Sequence, residues 1–286
     1  MTISIGFILA LVTMMLFGLN NLVSGLLGKK FPGLQGLFLF QLLGIPLIIP
    51  FILMGYMKPI VLGDLYILIL LGVFDTGVWF MCLRAFAQGK ISIVSAILST
   101  AMVVTVGISV LFFQAPLPML KVVSLGVTLL GVILLTVNTR ELKSLPSSFF
   151  APGTKLALIC MVGIGIYMAS VGAISGKAGW VQTILFIRIA IAVTSGGILA
   201  LTHTLPRLSS IPWKLVMAVA TCDVAAFALF NITIQYVDVS TVVMITSCST
   251  LVTALVMYVK YKERLHIHQT IGIGITTLAL MLLSRL

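Results

Sequence analysis

Val122–Val137 reads VVSLGVTLLGVILLTV, without one charged side chain, and runs straight into Asn138–Thr154, NTRELKSLPSSFFAPGT, the longest polar break in the chain. An uncharged apolar run of this kind is the signature of a helix crossing lipid, because a segment in hydrocarbon must satisfy its backbone amides internally. A strand barrel, the alternative, would show short segments of weak alternation instead. The polar stretch that follows is the natural boundary between two halves of the chain.

Similar runs recur on both sides of that boundary. Breaking the chain at charges, prolines and glycines gives spans near 4–27, 35–56, 65–87, 91–113, 119–138, 155–176, 181–202, 212–236, 239–259 and 267–284. The sequence therefore predicts an all-α integral membrane protein of about ten transmembrane helices. Composition agrees, since 60% of residues are hydrophobic and only 8% charged, against roughly a quarter charged in soluble domains. Met1–Gly28 lacks the basic start of a signal peptide and its apolar stretch is too long for one, so it reads as a retained first helix.

A shift of 148 residues, with no gap, lays the first half on the second: Gly28-Lys29 on Gly176-Lys177, Leu37-Phe38 on Leu185-Phe186, Asp75 on Asp223. Further on, Ser92 meets Ser240, Ser99 meets Ser247, Val104-Thr105 meets Val252-Thr253 and Gly126 meets Gly274. The division reads 1–138 as a first five-helix repeat, 139–153 as a linker and 154–286 as a second repeat. Five is odd, so the second repeat enters the membrane in the opposite sense and the repeats are inverted. Inverted repeats suit secondary transport, because two similar halves can rock about a site near the midplane.

The pattern resembles the drug/metabolite transporter superfamily in its ten-helix form with two five-helix repeats. The residues that carry the resemblance are Phe17-Gly18-Leu19-Asn20-Asn21 in the first helix, the helix from Val239-Ser240 to Val259, Lys262-Glu263-Arg264-Leu265, and the closing stretch Gln269–Leu283. The first half departs from it, with Gln114-Ala115-Pro116-Leu117 where the second half has Lys262-Glu263-Arg264-Leu265. The resemblance implies a carrier of small molecules and names no substrate residue.

Six acidic residues exist in the chain, and Asp75 and Asp223 fall near the middle of the third and eighth spans. A carboxylate at that depth costs at least ~2.5–3.5 kcal/mol on the lenient insertion scale, so each needs a partner, a cavity or a proton. Trp79 and Phe227 lie four residues beyond these acids and so share their helix faces. An acid beside a ring suits an ammonium group; a ring that simply packs between helices is the plainer reading. Arg188, inside the seventh span, cannot shed its charge and needs an anion: a substrate carboxylate, or Asp75 or Asp223 as an ion pair. Arg84, near the end of the third span, reads as an interfacial anchor. Asn20, Asn21, Tyr167, Asn231 and the equivalent pair Ser99 and Ser247 are candidates to line a pathway, or to bond between helices.

The three histidines, His203, His266 and His268, lack the spacing of a metal site, and no hydrolase, zinc-protease or phosphate-loop motif is present. No catalytic residue, metal or cofactor is expected, which removes direct ATP drive. Cys82, Cys160, Cys222 and Cys248 all lie in apolar spans, where a disulfide framework would not be. The formal charge of +11 sits mostly in the breaks between spans, as a topology signal rather than a nucleic-acid footprint.

On the side of the chain ends the breaks carry Lys58, Lys121, Lys177 and Arg285. On the other side they carry Lys29, Lys30, Lys90, Arg140, Lys143, Lys155, Arg207, Lys214, Lys260, Lys262 and Arg264. By the positive-inside rule this puts the termini outside the cytoplasm, whereas the resemblance implies termini inside; orientation stays open.

The function expected is secondary transport, by alternating access, of a small amine-bearing metabolite such as an amino acid. Expected partners are that substrate, membrane lipids and possible coupling protons. Proton-coupled export of hydrophobic cations is the alternative within transport, and a membrane enzyme or receptor on the same scaffold is the alternative outside it.

Overall fold

The computed structural model describes residues 5–89, 94, 97–136, 152–261 and 267–283. Most of the 139–153 linker lies outside them, as do Lys90, Ser92, Arg140, Lys143, Lys262-Glu263-Arg264-Leu265, His266 and Arg285.

The described residues form twelve α-helical segments. They are α1 Ile5–Lys30, α2 Gly33–Gly44, α3 Ile49–Leu53, α4 Leu62–Gln88, α5 Ala101–Phe113, α6 Met119–Thr136, α7 Pro152–Ala178, α8 Trp180–Leu201, α9 Trp213–Thr233, α10 Val239–Ser247, α11 Ser249–Tyr261 and α12 Ile267–Leu283. They make ten spans, because α2 continues through a short 3-10 turn into α3, and α10 continues into α11. Six spans are long and apolar enough by themselves to cross a bilayer, and the four shorter apolar helices complete the ten. The break between α2 and α3 has a local cause: Pro46 and Pro50 remove backbone donors within one turn of each other. The chain is an all-α, multi-pass integral membrane protein built from two inverted five-helix repeats. Its residues 5 and 283 lie on one face, called here the terminus face, and residues 136 and 152 lie on the opposite, linker face.

The repeat is visible in backbone detail. In the fourth span Thr100 N donates to Ile97 O and Val103 N to Thr100 O. In the ninth, Cys248 N donates to Ile245 O and Leu251 N to Cys248 O. Every one of these residues maps on its counterpart under the 148-residue shift. Each half thus carries one 3-10 turn, with its tighter i to i−3 bonding, at the same register of an otherwise α-helical span. Packing follows the same symmetry, α1 lying along α9 and its counterpart α7 along α4.

Close helix contact positions the centre. A Cβ at Gly72 of α4 would lie 2.5 Å from Ala190 Cβ and 2.7 Å from the Ile187 carbonyl, so only glycine lets α4 approach α8 this closely. Small residues at such crossings are how helices pack where lipid supplies no hydrophobic drive.

Candidate functional site

Two neighbouring hollows, which share four lining residues, occupy the centre of the bundle. The larger has a volume of about 120 Å³, with Asn20 and Asn21 of α1, Asp75 and Trp79 of α4, Tyr167 of α7 and Phe227 of α9 among its walls. Ser99, Thr105, Thr246, Ser247 and Ser249 add a hydroxyl-bearing wall where the two 3-10 turns cross the membrane centre. The smaller chamber, about 20 Å³, lies on the other side of Asp75, Trp79, Tyr167 and Phe227 and is also lined by Gln41, Arg188, Asp223 and Asn231. Every residue singled out from the sequence as a binding candidate borders one hollow or the other.

Helical geometry brings acid and ring together. Asp75 and Trp79 stand one turn apart on α4, and Asp223 and Phe227 do the same on α9. The rings belong to an edge-to-face set: Phe17 with Phe227 at 5.3 Å between centroids, Tyr167 with Phe227 at 6.3 Å, Phe40 with Trp79 at 5.5 Å. These contacts pack the rings of the aromatic wall against one another.

The two acids are symmetric in sequence and unequal in surroundings. Arg188 Nη2 donates to Asp223 Oδ2 at 2.6 Å, and Nη1 donates to Gln41 Oε1 at 2.6 Å. Asn20 Nδ2 donates to Asp223 Oδ1 at 3.0 Å, and Ser24 Oγ donates to Asn20 Oδ1 at 3.3 Å. The guanidinium is thus forked between α2 and α9, a geometry that lysine cannot reproduce. Gly44 makes room for it, since a Cβ there would stand 2.7 Å from Arg188 Nη1. Asp75, 3% exposed, has neither ion pair nor hydrogen bond among the described residues.

Repeat arithmetic explains the difference. The position equivalent to Arg188 in the first half is Phe40, the ring that packs on Trp79. One half therefore pairs its acid with arginine, and the other carries an aromatic ring at the arginine's position.

In the small chamber Arg188 Nε and Asn231 Oδ1 are buried without a partner among the described residues. A space of about 20 Å³ suffices for one water, and residues carrying an unpartnered donor and an unpartnered acceptor line it.

Gln41 escaped the sequence reading. It is one polar residue in the apolar second span, with no charge and no counterpart in the repeat to mark it, the equivalent position being Ile189. Neither did the sequence reveal a second contact between the halves, on the terminus face. There Lys121 Nζ, on a side chain 4% exposed, donates to Asp238 Oδ1 at 2.9 Å, Ser240 Oγ at 3.0 Å and Pro116 O at 3.3 Å. Asp238 caps α10, accepting from Thr241 N at 3.2 Å, from Thr241 Oγ1 at 2.6 Å and from Ser240 Oγ. Burial pushes the Asp238 carboxyl up, but the hydrogen bonds from Ser240, Thr241 and Lys121 and the charge of Lys121 outweigh it and hold it below the ordinary carboxylate value.

Comparison with known proteins agrees with this architecture. Residues 4–137 and 151–285 each match the EamA-like transporter family. A solved crystal structure of an otherwise unspecified protein superposes with a TM-score of 0.74 at 15% identity, covering 98% of this chain and 96% of that one, which supports the fold alone. No curated protein matches the sequence significantly.

Proposed function

Since this chain belongs to the EamA-like transporter family, we propose that it carries a small organic amine across the membrane by alternating access, with Asp75 receiving the ammonium group. Membership makes it a membrane transporter of small molecules; the choice of an amine rests on the site. One observation carries it: Asp75 is a buried carboxylate with no counter-charge of its own, standing in an aromatic-walled cavity. An ammonium gains there from the carboxylate and from the ring faces of Trp79, Tyr167 and Phe227. The hydroxyl and amide groups of Asn21, Ser99, Thr246 and Ser247 offer bonds to polar parts of the same solute. In this reading the halves 1–138 and 154–286, joined by 139–153, rock about the cavity.

A substrate carboxylate would need a cation, and Arg188 is held by Asp223 and Gln41. That engagement favours the second reading, in which the solute is an organic cation without a carboxylate, exchanged for protons. Thermal stabilisation of the purified protein by amino acids, by amines lacking a carboxylate, by nucleotide sugars and by sugar phosphates separates the readings, because a bound ligand raises stability by mass action. Amines with and without a carboxylate should both stabilise the wild type and not Asp75→Asn if Asp75 alone selects the ligand. Stabilisation by sugar phosphates only, unaffected by Asp75→Asn, would overturn the proposal.

A further inference from the structure

The terminus face and the linker face of an inverted repeat should be built alike, and here they are built with different charges. On the terminus face Lys121, at the start of the fifth span, reaches across the halves to Asp238 and Ser240 at the start of the ninth. The 148-residue shift maps Asp238 on Lys90, Ser240 on Ser92 and Lys121 on Gln269. The same contact made on the linker face would therefore join a lysine to a glutamine. The acid has become a base and the base a neutral amide, so this ion pair belongs to one face by sequence.

The cavity is asymmetric in the same sense. Its walls on α1 and α4 lie in the halves of those helices nearer the linker face, with Ser24, Cys82 and Phe86 the outermost, and it includes Leu98 at the linker-face start of the fourth span. Toward the terminus face its walls end at Phe17, Asp75, Thr105, Met168, Phe227 and Val243. Beyond them the halves are in direct contact: Thr13 and Thr233 are hydrogen-bonded at 3.3 Å, Gly6 packs against Tyr236 and Val237, and Lys121 bonds to Asp238.

We infer that Lys121, Asp238 and Ser240 form a one-sided latch, which holds the terminus face closed and biases the carrier toward the state that opens to the linker face. The inference rests on the carrier reading but not on the choice of an amine. Asp238 is anchored to its own helix by its cap, and Lys121 reaches it from the fifth span. For the cavity to reach the terminus face the start of the ninth span must part from the fifth, which breaks the pair and exposes a buried ammonium to a new environment. By sequence the linker face carries Lys90 and Gln269 at the equivalent places, two residues that cannot form this ion pair.

The latch is tested without any substrate. In protein with Cys82→Ala, Cys160→Ala, Cys222→Ala and Cys248→Ala, two single reporters are compared in detergent, where reagent meets both faces. Ser109→Cys sits on α5, buried, two turns from cavity-lining Met102 toward the terminus face. Leu98→Cys lines the cavity near the linker face. Lys121→Met or Asp238→Asn, the latter keeping a side chain able to cap α10, should speed maleimide labelling at Ser109→Cys by about fivefold, equivalent to ~1 kcal/mol in the conformational equilibrium, and slow it at Leu98→Cys.

The double variant should label no faster than either single one, because one contact can be broken only once. Lys90→Asp with Gln269→Lys, which writes the pair onto the linker face, should slow labelling at Leu98→Cys. Unchanged labelling of Ser109→Cys in both single variants overturns the latch, and so does a rise at both reporters together, which marks general loosening. Failure here leaves ligand stabilisation through Asp75 untouched, and failure of the amine reading leaves the labelling pattern untouched.

Discussion

Replacing Asp75 and Asp223, one at a time, by asparagine should separate two acids that the sequence presents as equivalents. Asp223→Asn removes the charged acceptor of Arg188 Nη2 at 2.6 Å and leaves a guanidinium 3% exposed with Gln41 as its remaining bonded partner. Removing one member of a buried pair costs about 3–5 kcal/mol, most of it the uncompensated charge left behind. Asp75→Asn breaks no hydrogen bond or ion pair among the described residues and keeps the side-chain volume.

It also removes a carboxylate whose insertion costs ~2.5–3.5 kcal/mol, so its stability should be unchanged or raised. The assay is thermal unfolding of the two purified variants beside vesicle flux of an amine found to stabilise the wild type. Asp223→Asn should unfold well below the wild type, whereas Asp75→Asn should match or exceed it and transport nothing. Equal destabilisation by the two substitutions would refute the division of labour, and so would full flux in Asp75→Asn.

Three further outcomes follow from the geometry. Arg188→Lys should lose about 1–3 kcal/mol, because one ammonium cannot serve Gln41 and Asp223 in the positions of a planar fork; thermal unfolding measures it. Gly72→Ala should cost about 1–3 kcal/mol by forcing α4 away from α8, where the nearest atoms include the Ile187 backbone carbonyl; the variant should lose stability and ligand binding together. Asp238 is held below its unfolded value near ~3.9, so the stability it contributes is fully present above that pH and is lost as pH falls through the lower folded value. The labelling rate of Ser109→Cys divided by that of Leu98→Cys, a ratio in which the falling thiolate fraction cancels, should then be flat from neutrality down to about pH 4 and rise below it, and Asp238→Asn should abolish the rise.

The arrangement shows how an inverted repeat can diverge without losing its frame. The 3-10 turns at Thr100 and Cys248 and the packing of α1 on α9 and α7 on α4 keep the symmetry. What differs is charge: Arg188 against Phe40 at the centre, Asp238 against Lys90 at the rim. A few substitutions suffice because a buried charge in lipid carries more energy than any single apolar contact. Symmetric backbone and asymmetric charge together leave Asp75 unpaired among the described residues and place the Lys121–Asp238 pair on the terminus face.

Sequence alone determined that the chain is a membrane protein of ten helical spans in two inverted repeats, for a physical reason. Lipid demands long uncharged runs such as Val122–Val137, and an odd number of spans per repeat inverts the second. It also picked out Asp75, Asp223, Trp79, Phe227 and Arg188, because charge at membrane depth is too costly to be incidental. It left open which acid Arg188 meets, since Asp75 and Asp223 are identical in type and in register, and each is followed four residues on by an aromatic. Only the tertiary structure decided that, through Gln41 on α2, the space left by Gly44 and Asn20 on α1. The same holds for Lys121 and Asp238, 117 residues apart, which read as loop charges until packing brings them within 2.9 Å. Burial in lipid is written in composition along the chain, whereas the pairing of one charge with another depends on distances that arise only when helices from both halves pack.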